Sequence, residues 1–124
     1  MPWLTVVLRK GFGLGAQALA GGHFHAPFLT VSWPTGEFGG MNLEGAVRMG
    51  MKKQLAVIED PAQREAALQQ LIAAAYERGK ALSVASLLEV DAVIDPAQTR
   101  AVLLRSLRSM PVAGQRPRRF IDTW

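Results

Sequence analysis

Apolar residues follow two spacings in this sequence, one typical of strands and one typical of helices. Residues 4–8 form a short apolar run rich in β-branched side chains, and residues 28–33 form an apolar run interrupted by a threonine and a serine. The first run predicts a strand covered on both faces, and the second predicts another strand. Residues 37–41 are compatible with a short third strand or a loop, and residues 90–94 alternate as a short strand.

Helical spacing is clearest after Asp60 and Pro61, which are favoured at an N-cap and at the first helical position. Apolar residues then recur at intervals of three and four, which predicts an amphipathic helix that Gly79 terminates. The apolar stripe consists of Leu68, Leu71, Ile72, Ala75 and Tyr76. The same signal at Asp95 and Pro96 predicts a last helix over residues 97–110. Its candidate core residues are Val102, Leu103, Leu107 and Met110.

Two shorter helices complete the predicted order. Asn42 is a suitable N-cap for a helix over residues 43–49, and residues 81–88 are compatible with another short helix. Strands followed by glycine turns and helices predict an α/β fold of repeated ββα units. The strands are too few to close a core, so we expect either a fragment or a partner that covers an open face.

Gly11, Gly13 and Gly15 alternate through the turn that follows the first strand, and we predict a helix that starts inside these glycines. From Ala16 onward the residues are small helix formers. The first N–H groups of a helix have no internal partner, and together with the helix dipole they suit a developing oxyanion. Glycines at such a turn also serve tight packing alone, and this alternative stays open. The spacing matches neither a dinucleotide fingerprint nor a phosphate loop, so nucleotide binding is not favoured.

Composition narrows the class of protein. The 124 residues suit one domain, hydrophobic residues make up 49%, and there is no cysteine. Disulfides and zinc–thiolate sites are therefore excluded, as in proteins of a reducing compartment. The apolar runs are too short to span a bilayer, and the first residues lack the pattern of a signal peptide. We expect a cytoplasmic protein that does not insert into membranes.

The net charge of +4 comes from basic residues concentrated near the end of the sequence. From residue 100 onward these are Arg100, Arg105, Arg108, Arg116, Arg118 and Arg119. We interpret them as a solvated helix face followed by a basic tail, with anion or RNA binding as the less favoured alternative. His23 and His25 are the only histidines, so we expect loop residues and no metal site.

Several blocks in sequence order resemble the carboxyltransferase β subunit of biotin-dependent acyl-CoA carboxylases, of the propionyl-CoA and acetyl-CoA carboxylase type. They are VVLRKGFGLGAQALAG at 6–21, VSWPTGEFGGMNLEGAV at 31–47, VDAVIDPAQTRAVLLRSL at 90–107 and FIDTW at 120–124. The resemblance covers essentially the whole chain. It implies an incomplete crotonase-type (ClpP/crotonase-like) fold, with residues 1–111 as part of a C-terminal carboxyltransferase domain and residues 112–124 as an extended basic tail.

The resemblance implies an enzyme of the ligase type that forms a carbon–carbon bond. Such subunits transfer a carboxyl group from carboxybiotin, held on a separate carrier protein, to the α-carbon of a short-chain acyl-CoA. The implied partners are a biotin carboxylase or biotin carrier subunit, the N-terminal carboxyltransferase domain of a neighbouring subunit, and further copies in a homo-oligomer, but no nucleic acid. Without the N-terminal domain we expect no activity. The alternatives are a non-catalytic oligomerisation or interaction module and the remnant of a truncated gene.

The resemblance also implies roles for individual residues. The backbone N–H groups of Leu14 and Gly15 would form an oxyanion hole for the ureido oxygen of biotin. The neighbouring biotin site would comprise Phe12, Gly13 and Ala16. Gln17 would lie near the acyl pocket, where some propionyl-type members carry an acidic residue. That difference leaves the acyl chain open, and an ordinary helix residue is the alternative interpretation of Gln17.

Overall fold

The computed structural model describes residues 3–111, which form two small parallel sheets flanked by helices. The strands are β1 (Leu4–Val7), β2 (Lys10–Phe12), β3 (Leu29–Ser32), β4 (Glu37–Gly39) and β5 (Ala92–Val93). The helices are α1 (Gly13–Leu19), α2 (Leu43–Gly50), α3 (Lys52–Ala56), α4 (Pro61–Gly79), α5 (Ala81–Ser86) and α6 (Thr99–Ser109), the last preceded by a 3-10 turn (Pro96–Gln98).

Consecutive strands enter different sheets. One sheet has the order β1-β3-β5 and the other pairs β2 with β4, and every pairing within them is parallel. Each ββα unit, first β1-β2-α1 and then β3-β4-α2, therefore adds one strand to each sheet. The predicted α/β class with repeated ββα units is confirmed, and the segment left open between a strand and a loop is strand β4.

Two apolar clusters hold these elements together. Between the sheets and α5, the buried side chains are Val7, Phe38, Ala81 and Val90. Between α3 and α4, they are Leu55, Leu68 and Ile72. Burial of one such Val, Leu or Phe side chain contributes roughly 1.5–3 kcal/mol. The first cluster fixes strand β4 against α5, and the edge-to-face contact of Phe24 with Phe38 (centroids 5.4 Å apart) closes it on one side.

The start of α1 lies within the glycine turn, as the sequence predicts. The helix begins at Gly13, because Phe12 is still extended (φ −106°, ψ 136°) and Gly13 turns the chain directly into the helix. Residues 10–12 form strand β2, which the sequence did not predict. A lysine, a glycine and one phenylalanine give too weak an apolar pattern, and the segment becomes a strand through its pairing with β4.

The predicted N-caps are confirmed in α2 and α4. The Asn42 side chain accepts hydrogen bonds from the N–H groups of Glu44 and Gly45, and the Asp60 side chain accepts one from Ala62 at 3.0 Å. Each cap satisfies backbone donors that the helix itself leaves unpaired. Both helices begin within one residue of the predicted positions.

The last helix is only partly as predicted. Asp95 accepts from the N–H of Ala97 at 2.8 Å, but a 3-10 turn follows and α6 begins at Thr99. None of the proposed core residues of α6 is buried, and Leu107 is 51% exposed. A hydrogen bond from Trp33 Nε1 to Thr99 Oγ1 (3.0 Å) attaches the helix start to the end of β3. The basic tail and the closing block, residues 112–124, lie outside the described residues.

Gly79 serves a different purpose from the predicted helix stop. It is the last residue of α4, with Lys80 as the C-cap, and its φ is not in the left-handed region. A Cβ atom at Gly79 would lie 2.6 Å from the carbonyl oxygen of Phe38 and 3.1 Å from Leu43 Cδ1. The glycine is therefore required because the end of α4 packs directly against the backbone of β4.

The first strand is not covered on both faces as predicted. Only Val7 of β1 is buried, whereas Leu4, Thr5 and Val6 are half-buried. Within residues 3–111, the elements present cover the first sheet incompletely.

We expect Gly79→Ala and Gly45→Ala to change stability in opposite directions. The added methyl group at residue 79 meets the Phe38 carbonyl, and overpacking of this kind costs about 1–3 kcal/mol. Nothing lies within 4 Å of a Cβ at Gly45, inside α2, so alanine there gains up to about 1 kcal/mol of unfolding free energy. Urea unfolding midpoints at unchanged m-values measure both. Midpoints that shift in the same direction would contradict the role of Gly79.

Candidate functional site

Two glycine-containing turns meet at the carboxyl ends of β2 and β4. Phe12 and Gly39, the last residues of these strands, are register partners. The turn into α1 and the turn into α2 therefore start side by side, and a Cβ at Gly13 would lie only 3.2 Å from the carbonyl oxygen of Gly40. Crevices outside the carboxyl ends of parallel strands are where open α/β folds bind ligands. This junction is the candidate functional site.

Gly13 has a structural requirement of its own. Its φ of +68° lies in the left-handed region, which L-residues with a side chain adopt only at a cost. The short approach to Gly40 leaves little room for a Cβ even without that cost. The packing explanation that the sequence left open therefore applies to Gly13.

Leu14 and Gly15 present a different environment. The Leu14 side chain is 81% exposed, and nothing lies within 4 Å of a Cβ built at Gly15. Among residues 3–111, no acceptor outside α1 takes a hydrogen bond from either N–H group. Because α1 begins at Gly13, the helix itself has no carbonyl positioned to accept from them. Two neighbouring main-chain N–H groups at the start of the helix therefore have no hydrogen-bond acceptor among the described residues.

A cavity of about 440 Å³ adjoins this junction. Its apolar lining includes Phe24, Phe38 and Leu43, while Gly39 and Gly40 contribute main-chain surface. Its polar side chains are Gln17, Arg78 and Glu89. The cavity is lined by residues of five elements (α1, β4, α2, α4 and α5) and of three connecting segments, so tertiary packing brings its lining together.

The structure separates two of the predicted site residues. Gln17 lines the cavity beside Gly40, whereas Ala16 lines a second cavity of about 460 Å³ that follows β1. Phe12 is half-buried at the end of β2 and lines neither cavity. Gly13 lies at the junction of the turns, next to Leu14 and Gly15 at the start of α1. Adjacent residues of a short helix point in different directions, which accounts for the separation.

Charged groups around the cavity are mostly solvated. Arg78 Nε donates to the Ala74 carbonyl within α4 at 3.3 Å, and the His25 imidazole lies 3.6 Å from the Glu89 carboxylate. Elsewhere on α4, partial burial and then the nearby Glu44 carboxylate raise the pKa of Tyr76. Within the described part of the chain, no group of three side chains could hold a metal ion, and no helix is long and apolar enough to cross a bilayer.

Sequence reasoning missed Arg78 and Glu89 as cavity residues. Arg78 lies outside the apolar stripe predicted for α4, and Glu89 lies just before the predicted strand segment, without a pattern around it. The adjacent Gly39 and Gly40 did give a signal, since two small residues allow either a flat ligand or another backbone to lie close. In the structure, a Cβ at Gly39 would lie 2.7 Å from Leu43 Cδ2 and 3.0 Å from the carbonyl oxygen of Met41, whereas nothing lies within 4 Å of a Cβ at Gly40.

Comparison with known proteins identifies the relatives of this chain. The family described as "Carboxyl transferase domain" matches residues 1–121. The carboxyltransferase subunit of propionyl-CoA carboxylase from Haloferax mediterranei is 31% identical over 89% of this chain and 21% of its own length. The beta4 subunit of a biotin-dependent long-chain acyl-coenzyme A carboxylase from Mycobacterium tuberculosis is 32% identical over 86% of this chain and 20% of its length. The chain spans about a fifth of these curated relatives.

Solved structures agree with this grouping. The transcarboxylase 12S structure with methylmalonyl-coenzyme A bound superimposes with a TM-score of 0.83 at 27% identity, over 99% of this chain and 23% of that one. A single-chain, multi-domain long-chain acyl-CoA carboxylase gives 0.68 at 53% identity, over 85% of this chain and 10% of that one. These are carboxyltransferases of the crotonase-type fold, so the predicted fold and the predicted family are both confirmed.

We expect Gly13→Ala to lower the stability of the folded protein and Gly15→Ala not to lower it, because only Gly13 is required for backbone conformation and packing. Alanine at residue 13 must adopt a positive φ, which costs about 1–2 kcal/mol, and it also crowds Gly40. Alanine at residue 15 enters open space in a helix and should leave the unfolding midpoint unchanged or raised. Thermal unfolding measures both variants, and an equal loss at the two positions would refute the distinction.

Proposed function

Because this chain belongs to the carboxyl transferase domain family, we propose that it forms one part of a carboxyltransferase acting on a short-chain acyl-CoA. Carboxybiotin, attached to a separate carrier protein, supplies the carboxyl group that is joined to the α-carbon. The observation that carries the proposal is the family match over residues 1–121, which includes both glycine turns of the candidate site. The Haloferax relative, a propionyl-CoA carboxylase subunit, supports a propionyl-CoA-type substrate, whereas two other relatives are long-chain acyl-CoA carboxylases.

The proposed contribution of this chain is a pair of main-chain donors. The N–H groups of Leu14 and Gly15 would hydrogen-bond the ureido oxygen of biotin and stabilise negative charge on it. Two observations support this role for the two N–H groups. Neither has a hydrogen-bond acceptor within residues 3–111, and the space beside Gly15 is open. An oxyanion donor of this kind is worth roughly 3 kcal/mol of activation barrier.

The fit of a biotin ring follows from the same local features. Gly15 leaves the backbone accessible at the start of α1, and Phe12 offers an apolar ring close to it in sequence. Ala16, which the resemblance also places in the biotin site, lines the cavity that follows β1. We propose that Phe12, Gly13, Leu14, Gly15 and Ala16 hold the ring.

The cavity beside Gln17 is our proposed site for the acyl group. Its volume of about 440 Å³ is sufficient for a small ligand, and its lining is mostly apolar. Gln17 is polar and uncharged, whereas some propionyl-type members of the family carry an acidic residue at this position. The side chain of Gln17 would therefore influence which acyl chain the cavity accepts.

We further propose that activity requires an assembly. The chain spans about a fifth of its curated relatives, and the proposed N-terminal carboxyltransferase domain of a neighbouring subunit would complete the active site. The other proposed partners are a biotin carboxylase or biotin carrier subunit and further copies of the chain.

Within the assembly, residues 1–111 would act as part of the C-terminal domain and residues 112–124 as its basic tail. We propose a cytoplasmic location, with which the absence of cysteine is consistent.

A second candidate is a non-catalytic interaction module. Its support is the large number of exposed apolar side chains, among them Leu14, Leu19, Met49, Val57, Leu82, Leu87 and Leu88. Exposed apolar surface of this extent marks interaction sites in soluble proteins. Binding of the remaining carboxyltransferase without restored carboxylation would favour this function over the catalytic one.

We expect Gly15→Asp to abolish most carboxyl transfer in a mixture containing carboxybiotin-loaded carrier, acyl-CoA and the remaining carboxyltransferase. A carboxylate beside the two donors opposes negative charge on the ureido oxygen, and the expected fall in rate is on the order of 10²-fold. Asp is favourable in the first helical turn, so folding should be retained. Ala18→Asp, which adds the same charge at an exposed residue of α1, is the control. An unchanged rate for Gly15→Asp would refute the donor assignment.

We expect Gln17→Leu to change the acyl preference. An apolar side chain at this position favours a longer acyl group, and one methylene typically changes discrimination by roughly tenfold or more. The measurement is the ratio of kcat/KM values for propionyl-CoA and a longer acyl-CoA in the same mixture. Gln54→Leu, on the exposed surface of α3, is the matched control. If both variants leave the ratio unchanged, Gln17 is an ordinary helix residue.

A further inference from the structure

Strand β1 has one unpaired edge. It is the outer strand of the β1-β3-β5 sheet, and within residues 3–111 no strand pairs with the side that faces away from β3. The carbonyls of Trp3 and Val7 accept hydrogen bonds from Phe28 and Trp33 on the β3 side, at 2.8 and 2.9 Å. Because main-chain groups of successive strand residues alternate in direction, those of Leu4 and Val6 face the open edge.

The open edge has an apolar groove beside it. The second cavity, of about 460 Å³, follows β1 and is lined also by residues of α1. Three of its apolar side chains, Trp3, Leu8 and Leu19, are 47%, 50% and 80% exposed. A row of main-chain donors and acceptors next to an apolar groove suits an added β-strand with apolar side chains.

Thr5 gives a second, independent indication. Its hydroxyl oxygen is buried yet has no hydrogen-bond partner among the described residues. Buried polar side-chain atoms nearly always have a partner, so an unpaired one indicates that a neighbouring group belongs there. Thr5 also lines the groove along β1.

The sheet order identifies the missing neighbour. Each ββα unit adds one strand to each sheet, always on the same side as the chain advances, and β2 is the outer strand of the second sheet just as β1 is of the first. The neighbours of β1 and β2 would therefore come from one unit that precedes this segment in a carboxyl transferase chain. The relatives contain about four-fifths of their length beyond the matched segment, which leaves room for such a unit.

We propose that the outer edge of β1, with the groove between β1 and α1, binds a parallel β-strand of the preceding ββα unit of a carboxyl transferase chain. The Leu4 and Val6 main chains would pair with this strand, and its apolar side chains would cover Trp3 and Leu8. The paired unit would supply an acceptor or donor to the Thr5 hydroxyl. Docking of the unit requires no catalytic activity by this chain.

The main-chain alternation gives a residue-level test in the free protein. We expect the amides of Leu4 and Val6 to exchange with deuterium quickly, and those of Thr5 and Val7, which face β3, to exchange at least about tenfold more slowly. Amide exchange followed by NMR distinguishes the four. Slow exchange at Leu4 and Val6 in the free protein would show that the edge is already covered, and would overturn the proposal.

The second test supplies the missing unit. The chain is co-expressed with the Haloferax mediterranei carboxyltransferase subunit from which the segment matching this chain has been removed. We expect the two to co-purify, with slowed exchange at Leu4 and Val6 in the complex. The excised Haloferax segment, co-expressed in the same way, is the positive control. If that segment binds and this chain does not, the proposed edge does not accept the unit.

Matched substitutions locate the contact. Leu8→Glu places a charge in the groove, and we expect recovery of the complex to fall on the order of tenfold or more. Leu82→Glu, at a 70% exposed residue of α5 outside the groove, should leave recovery unchanged. Equal effects of the two substitutions would overturn the proposal, as would self-association through β1 in sedimentation in place of binding. Because binding is measured without activity, failure here is distinct from failure of the proposed enzymatic function.

Discussion

The parallel pairing of β2 with β4 is the constraint on which the candidate site depends. It aligns Phe12 with Gly39, so the two turns that follow these strands lie next to each other. Gly13 and Gly79 then allow the backbones of the Gly40 turn and of β4 to approach. A side chain at Gly13 would crowd the Gly40 carbonyl, and one at Gly79 would crowd the Phe38 carbonyl, so glycine at both positions keeps the walls of the cavity beside Gln17 close together.

The chemistry proposed for this chain uses main-chain rather than side-chain groups. Leu14 and Gly15 contribute amides, and neither position needs a particular side chain for that purpose. Two charged residues, Arg78 and Glu89, line the cavity, and both are exposed to solvent. A fold can therefore support this chemistry without the clusters of histidine, cysteine or paired carboxylates by which active sites are often found, and family membership becomes the informative evidence.

The same architecture explains why the protein exposes so much apolar surface. A fold that grows by adding ββα units buries each unit against the one before and the one after. Its first unit here, β1-β2-α1, has the second unit on one side, and residues 3–111 supply none on the other. The exposed Trp3, Leu8 and Leu19 are a consequence of that arrangement and not of an unusual composition.

The sequence by itself determined the features that depend on neighbours along the chain. Asn42 and Asp60 cap the helices that follow them, since a cap needs only the next two or three residues, and the stripe on α4 identified its buried face. Only the tertiary structure decided that residues 10–12 form a strand, that Gly79 is needed for contact with Phe38, and that Ala16 and Gln17 line different cavities. Those outcomes depend on atoms distant in sequence, whose approach is fixed by sheet register and helix packing and leaves no local pattern.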